Sequence, residues 1–110
     1  MIVCVPIDDA GRVDPRWGRA ARVALATVED GAVKEWREIG VAWDSLHDAG
    51  SEAAHHARVA RFLRDQRVDT VVADHMGPGM SRMLQTMGVT VQLGAAGDAR
   101  TAVLSASPAA

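Results

Sequence analysis

Four histidines, a run of arginines and one Gly-Pro-Gly turn are where this chain could do chemistry. Imidazole nitrogens suit iron and other transition metals, and thiolates suit iron–sulfur species. His75 stands at the mouth of an apolar run, residues 70–73, directly before Met76-Gly77-Pro78-Gly79. The run reads as a buried strand. Pro78 suits the first position of a helix, because its missing N–H would be unpaired there anyway. A strand, a tight glycine loop and a helix start together aim free N–H groups and the positive end of a helix dipole at one spot. His47 lies in an aperiodic stretch, residues 40–50, that reads as a loop. His55 and His56 fall on one helix. His56 lies on the apolar stripe with Val59, Ala60 and Leu63 and is expected as a hydrogen-bonded core histidine. His55 flanks that stripe and is expected to be exposed. Adjacent histidines lack the i, i+4 spacing that brings two imidazoles to one metal from a helix.

Arg12, Arg16, Arg19 and Arg22 surround the loop that follows the first strand. If that strand neighbours the run at 70–73, the arginine loop faces the turn at 77–79. An anion would then meet guanidinium donors and helix-terminal N–H groups together. The plain alternative is a solvated loop. Asp8 and Asp9 end the first strand and Asp74 ends the run at 70–73. Carboxylates brought together there could hold Mg²⁺ for phosphodiester hydrolysis. Asp8-Asp9-Ala10-Gly11 is equally ordinary turn chemistry. Twelve Lys and Arg against 14 Asp and Glu leave no basic channel for a nucleic acid. No Ser–His–Asp arrangement, Walker loop or GxGxxG is present.

The sulfur atoms read as packing. Cys4 sits mid-strand, where a thiol is usually core, and a single cysteine leaves no internal disulfide. Met80, Met83, Leu84 and Met87 fall at i, i+3, i+4, i+7 and are expected on a core-facing stripe. Met76 precedes the turn and is expected to line a pocket there. Trp36 on an edge strand and Trp43 in the next loop would mark a partner or homodimer surface if exposed. At least two of the three tryptophans are expected to pack.

The elements that position these groups follow from pattern. Residues 2–7 are a β-branched run, the first strand. Residues 22–29 and 32–39 are strands joined by Asp30-Gly31, the type I′ hairpin pair. Ser51 caps a helix, residues 69–73 form the fourth strand, and a helix runs from Pro78 to about residue 87 with Gly88 as its stop. Residues 89–93 form the fifth strand. Asp98 caps a short last helix, and residues 105–110 are expected to fray. The order β-β-β-α-β-α-β-α, with right-handed crossovers in its second half, gives an α/β domain on a mixed five-stranded sheet. At 110 residues and 48% apolar composition the chain is one domain. Its start lacks a signal-peptide pattern, and no apolar run approaches the roughly 20 residues of a membrane span. A cytoplasmic protein is the expectation, with neither membrane nor nucleic acid as partner.

Five short matches occur in order: Val5-Pro6-Ile7-Asp8-Asp9, Trp17-Gly18-Arg19-Ala20, Val28-Glu29-Asp30-Gly31, His47-Asp48-Ala49-Gly50, and residues 68–79 with Met-Gly-Pro-Gly. Through them the chain resembles the dinitrogenase iron–molybdenum cofactor biosynthesis family over nearly its whole length. The resemblance implies a ribonuclease H-like sheet. It also implies a small non-enzymatic carrier or insertion accessory of nitrogen fixation, binding the iron–molybdenum cofactor or an iron–sulfur precursor. The family usually has a histidine just before the aromatic–Gly pair, where this chain has Arg16. It commonly has glycine before Met-Gly-Pro-Gly, where this chain has His75. The expected site combines His75 and His47 as metal ligands and Arg16 and Arg19 as anion partners. Gly77 and Gly79 serve as backbone donors, and Met76 lies alongside. Its ligand is a metal cluster or another anionic small molecule. A homodimer module, or a Mg²⁺ nuclease using Asp8, Asp9 and Asp74, are the alternatives.

Overall fold

The computed structural model describes residues 1–106; of the tail expected to fray, Ser105 and Ala106 close the last helix and residues 107–110 lie outside the described residues. Five strands form one sheet in the order β3-β2-β1-β4-β5. β1 (Ile2–Ile7), β2 (Arg22–Glu29) and β3 (Ala32–Gly40) form an antiparallel meander. β4 (Thr70–Val72) runs parallel to β1, and β5 (Thr90–Gln92) parallel to β4. Asp30 and Gly31 both take positive φ, 54° and 74°, as a type I′ turn requires. The fourth and fifth strands are shorter than their apolar runs, since only three residues of each pair on the ladder.

β1 is central, so both its faces are covered, and period-two alternation sends neighbours to opposite cores. Cys4 joins Leu25, Val71, Val59, Leu63, Met80 and Leu84 on the face covered by α2 (Glu52–Asp65) and α3 (Pro78–Thr86). Val3, Val5 and Ile7 join Ala24, Val72, Ala99 and Val103 under α4 (Ala99–Ala106). Asp98 Oδ2 accepts the Thr101 N–H at 2.9 Å and caps α4. Ser51 Oγ accepts the Ala54 N–H at 3.0 Å and caps α2. Among the described residues no helix is long and apolar enough to cross a membrane.

Three expectations need correction. Residues 40–50 are not all loop, because Trp43–Leu46 forms one helical turn, α1, entered through Ala42 at φ 55°. Tertiary burial drives it: Trp43 is 1% exposed and packs edge-on against Trp17 at 5.2 Å and Phe62 at 5.7 Å. Second, the buried stripe of α2 is His55, Val59 and Leu63, an i, i+4, i+8 line. His55 is therefore the core histidine and His56 the flanking one, the reverse of the pattern reading. A carbonyl and a guanidinium waiting at position 55 settle the phase, as described below. Third, Met87 lies at the end of α3 and is exposed, while Met80 and Leu84 are buried.

Trp36 is half-buried on β3. The Arg100 guanidinium lies 4.5 Å from its ring centre, and its Nε1–H donates to Glu38 Oε2 at 3.0 Å. Trp17 and Trp43 are both core residues.

Candidate functional site

The site is built where β1 and β4 end side by side. Beyond β1 the chain is folded back by carboxylates. Asp8 Oδ1 accepts the N–H groups of Ala10 at 2.9 Å and Arg12 at 3.0 Å, which holds its carboxyl below the usual range. Asp14, 5% exposed, accepts the Arg16 N–H at 2.9 Å and both the Nε and Nη2 of its guanidinium at 3.3 and 3.4 Å. Arg16 is thereby presented to the chain leaving β4, where it forms an isolated parallel bridge with His75. A single turn of 3₁₀ helix, Trp17–Arg19, follows.

Three separate stretches meet here. A cavity of about 230 Å³ is lined by Arg16, Trp17, Gly18, Arg19, His47, His75, Met76 and Gly77. Gly77 is the N-cap of α3, has no side chain to satisfy the first N–H groups, and is followed by Pro78. The structure thus brings together six of the seven residues singled out as cofactor-binding. Gly79 is the one it does not. A Cβ there would lie 3.4 Å from His56 Cε1, so Gly79 lets α3 approach α2. A second cavity of about 360 Å³ shares Gly18 and His47 with the first and adds Asp48, Glu52, His55, His56 and Met80.

The two arginines carry carboxylate partners. Arg16 pairs with Asp14, and Arg19 Nη2 lies 3.6 Å from Asp48 Oδ1. A guanidinium has five N–H donors, so each retains donors for an anion, and both side chains are at least half exposed. His47 Nδ1 is 3.1 Å from Asp48 Oδ1. That hydrogen bond, with the Arg19 charge, holds the Asp48 carboxyl below the usual range. His75 Nδ1 is 3.5 Å from Asp74 Oδ2, and its side chain is 72% exposed.

His55 was not expected in the site's frame. It is 2% exposed, and its Nε2 lies 2.8 Å from the Gly18 carbonyl. Arg58 Nη1 lies 2.8 Å from His55 Nδ1 and also donates to the Leu46 carbonyl at 3.2 Å. A guanidinium only donates, so His55 Nδ1 accepts and Nε2 carries the proton that bonds Gly18. Burial is the main cause that pushes the His55 pKa below its ordinary value. Through Gly18 and Leu46, α2 fixes both the turn carrying Trp17 and Arg19 and the residue preceding His47. The sequence signal for this was the i, i+4, i+8 line His55, Val59, Leu63, which competes with the stripe through His56.

The remaining groups stand apart. Asp9 pairs with Arg22 at 3.7 Å on the surface. With Asp8 committed to its own turn, the carboxylates expected of a Mg²⁺ nuclease are not drawn together. Among the described residues no group of three or more His, Cys, Asp or Glu is arranged to hold a metal ion. Cys4 is fully buried, and burial pushes its thiol pKa far up. Trp17 Nε1 is buried without a hydrogen-bond acceptor among the described residues.

Solved structures share this fold. PH0822 aligns over 96% of this chain and 88% of its own, with a TM-score of 0.76 and 22% identity. The apo form of the orange protein from Desulfovibrio gigas aligns over 93% and 82%, with a TM-score of 0.71 and 23% identity. A putative NifB protein from Thermotoga, of the DUF35 family, aligns over 93% and 83%, with a TM-score of 0.61 and 24% identity. No curated protein matches the sequence. The family model described as dinitrogenase iron-molybdenum cofactor matches residues 1–107, and the chain belongs to that family.

Proposed function

We propose that this protein is a small non-enzymatic accessory of the cytoplasm that carries an anionic metal–sulfur cargo, an iron–molybdenum cofactor or iron–sulfur precursor. The cargo sits between residues 16–19 and 75–77, with His47 at the rim. One observation carries this reading. Arg16, Arg19, His47 and His75, four side chains from three separate stretches, line one cavity at the uncapped start of α3. Guanidinium and helix-terminal N–H groups suit the negative charge and sulfide edges of such a cargo, and imidazoles suit its metals. The cargo supplies the sulfides, so the protein need supply only one or two ligands.

The family resemblance implies a histidine at the position of Arg16. The backbone bridge between Arg16 and His75 supports His75 as the imidazole of this site, moved one chain segment across the cavity. The strand order, with an antiparallel meander continued by two parallel strands, is in keeping with a ribonuclease H-like classification.

The test is an anaerobic titration with tetrathiomolybdate, an anionic molybdenum–sulfur probe, followed by absorbance and native mass spectrometry. One equivalent is expected to bind. Arg16→Ala and His75→Ala are each expected to weaken binding about tenfold, the size of one lost charge-assisted contact. Unchanged affinity in both variants would show that the cargo lies elsewhere.

A further inference from the structure

We propose that Asp48 is a positioning residue that fixes His47 as the Nδ1–H tautomer and so leaves Nε2 as the atom that ligates a metal in the cavity. The proposal rests on the cargo-binding reading above and names the ligating atom and the residue that selects it.

An ionised carboxylate can only accept. Asp48 Oδ1 lies 3.1 Å from His47 Nδ1, so the His47 proton sits on Nδ1. The neutral ring then carries its lone pair on Nε2. Metal-bound histidines commonly donate their other nitrogen to a carboxylate in this way, which fixes the ring and raises its basicity. Arg19 Nη2 stands 3.6 Å from the same Oδ1 and helps hold that carboxylate in place. The chain Arg19–Asp48–His47 thus runs along the cavity wall, and two of its three members line the first cavity.

The other imidazoles lack this arrangement. His55 is the opposite tautomer and spends both nitrogens, on Arg58 and on the Gly18 carbonyl. His56 Nε2 faces Glu52 Oε1 at 3.7 Å and lines the second cavity. His75 has a carboxylate at Nδ1, but at 3.5 Å and with a largely exposed ring. His47 is the imidazole whose free nitrogen is chosen by a hydrogen bond at the cavity itself.

The experiment has two readouts on the intact chain. Ring-nitrogen NMR of ¹⁵N-histidine protein reports the His47 tautomer. Cobalt(II), added as its anionic tetrathiolate complex so that the arginines meet negative charge and one imidazole can displace one thiolate, reports ligation through its absorption and its paramagnetic shifts. In the wild type, His47 is expected as Nδ1–H, with cobalt shifting its Nε2 side. Asp48→Ala is expected to move the ring toward the Nε2–H form and to weaken cobalt binding about tenfold or more, the range for loss of such a partner. Asp48→Asn loses the same charge but keeps an acceptor oxygen, and is expected to restore most of the tautomer and the affinity. The Asp48 side chain is exposed, so neither change threatens the fold.

If Asp48→Ala leaves the tautomer or the cobalt affinity unchanged while His47→Ala weakens binding, the positioning role is wrong and His47 as ligand stands. Equal losses in Asp48→Ala and Asp48→Asn would also overturn it, by reducing Asp48 to a charge. If His47→Ala itself leaves cobalt binding unchanged, both this proposal and the ligand role of His47 fall.

Discussion

His47 and His55 stand with ring centres 4.9 Å apart and planes inclined at 62°, and their Nδ1 atoms meet opposite kinds of partner, Asp48 Oδ1 at 3.1 Å and Arg58 Nη1 at 2.8 Å. Asp48 draws the proton of His47 to Nδ1, and Arg58 keeps the proton of His55 on Nε2. One ring keeps a free nitrogen at the cavity. The other is spent on holding the cavity wall. In the proposed function the ligand role falls to His47 and the scaffold role to His55, two residues of the same type divided by the partner each meets.

The scaffold role of His55 predicts a pH effect on stability. The folded state resists protonating this ring, whereas the unfolded chain takes the proton near the ordinary value of 6.5. The unfolded state therefore binds more protons below that point, and stability falls as pH falls. The His55 contribution is fully present above about 6.5 and is lost between that value and the lower folded one. His55→Gln can donate to Gly18 and accept from Arg58 without titrating. Thermal midpoints from pH 8 to pH 5 are expected to drop more steeply for the wild type than for His55→Gln. Parallel curves would contradict the assignment.

Cys4 is expected to be inert. It lies in the central strand with no exposure, and burial disfavours the thiolate that would react. A disulfide reagent should leave the native protein unmodified and label one thiol after denaturation. Rapid native labelling would mean that β1 opens far more readily than its packing allows.

Trp17 separates bulk from polarity. Its ring packs on Trp43, while its buried N–H finds no acceptor among the described residues. Trp17→Ala is expected to cost about 3–5 kcal/mol in urea unfolding, as for other large core truncations. Trp17→Phe removes the unpaired donor and keeps most of the packing, so its cost is expected below about 2 kcal/mol. Similar costs for the two would show that the indole N–H has a partner after all.

Much of the frame was legible in the sequence because its signals are local. The β-branched run of β1, Asp30-Gly31 at the hairpin and Pro78 after Gly77 each dictate their own conformation. The α1 turn was not legible, because Trp43 becomes helical only by entering a socket made by Trp17 and Phe62, which lie far off in the chain. The His55–His56 choice failed for the same reason. Both residues lie near the apolar stripe, and the Gly18 carbonyl and Arg58 decide which turns inward. That Arg16, His47 and His75 line one cavity depends on β1 and β4 being neighbours and on Asp14 turning Arg16 toward His75. The first was only a condition of the sequence reading, because the crossover rule sets the direction of β4 and not its neighbour; the pairing of Val3 with Thr70 and Cys4 with Val71 supplies it. The second is visible only in three dimensions.

Whether the cavity holds the cargo is decided by the anaerobic tetrathiomolybdate titration carried out on the wild type and on an Arg16→Ala, His75→Ala double variant. A one-to-one adduct is expected in the wild type. The loss in the double variant is expected to exceed the roughly tenfold loss of either single variant. A double variant that binds the probe as tightly as the wild type would show that the cavity between residues 16–19 and 75–77 is not the cargo site.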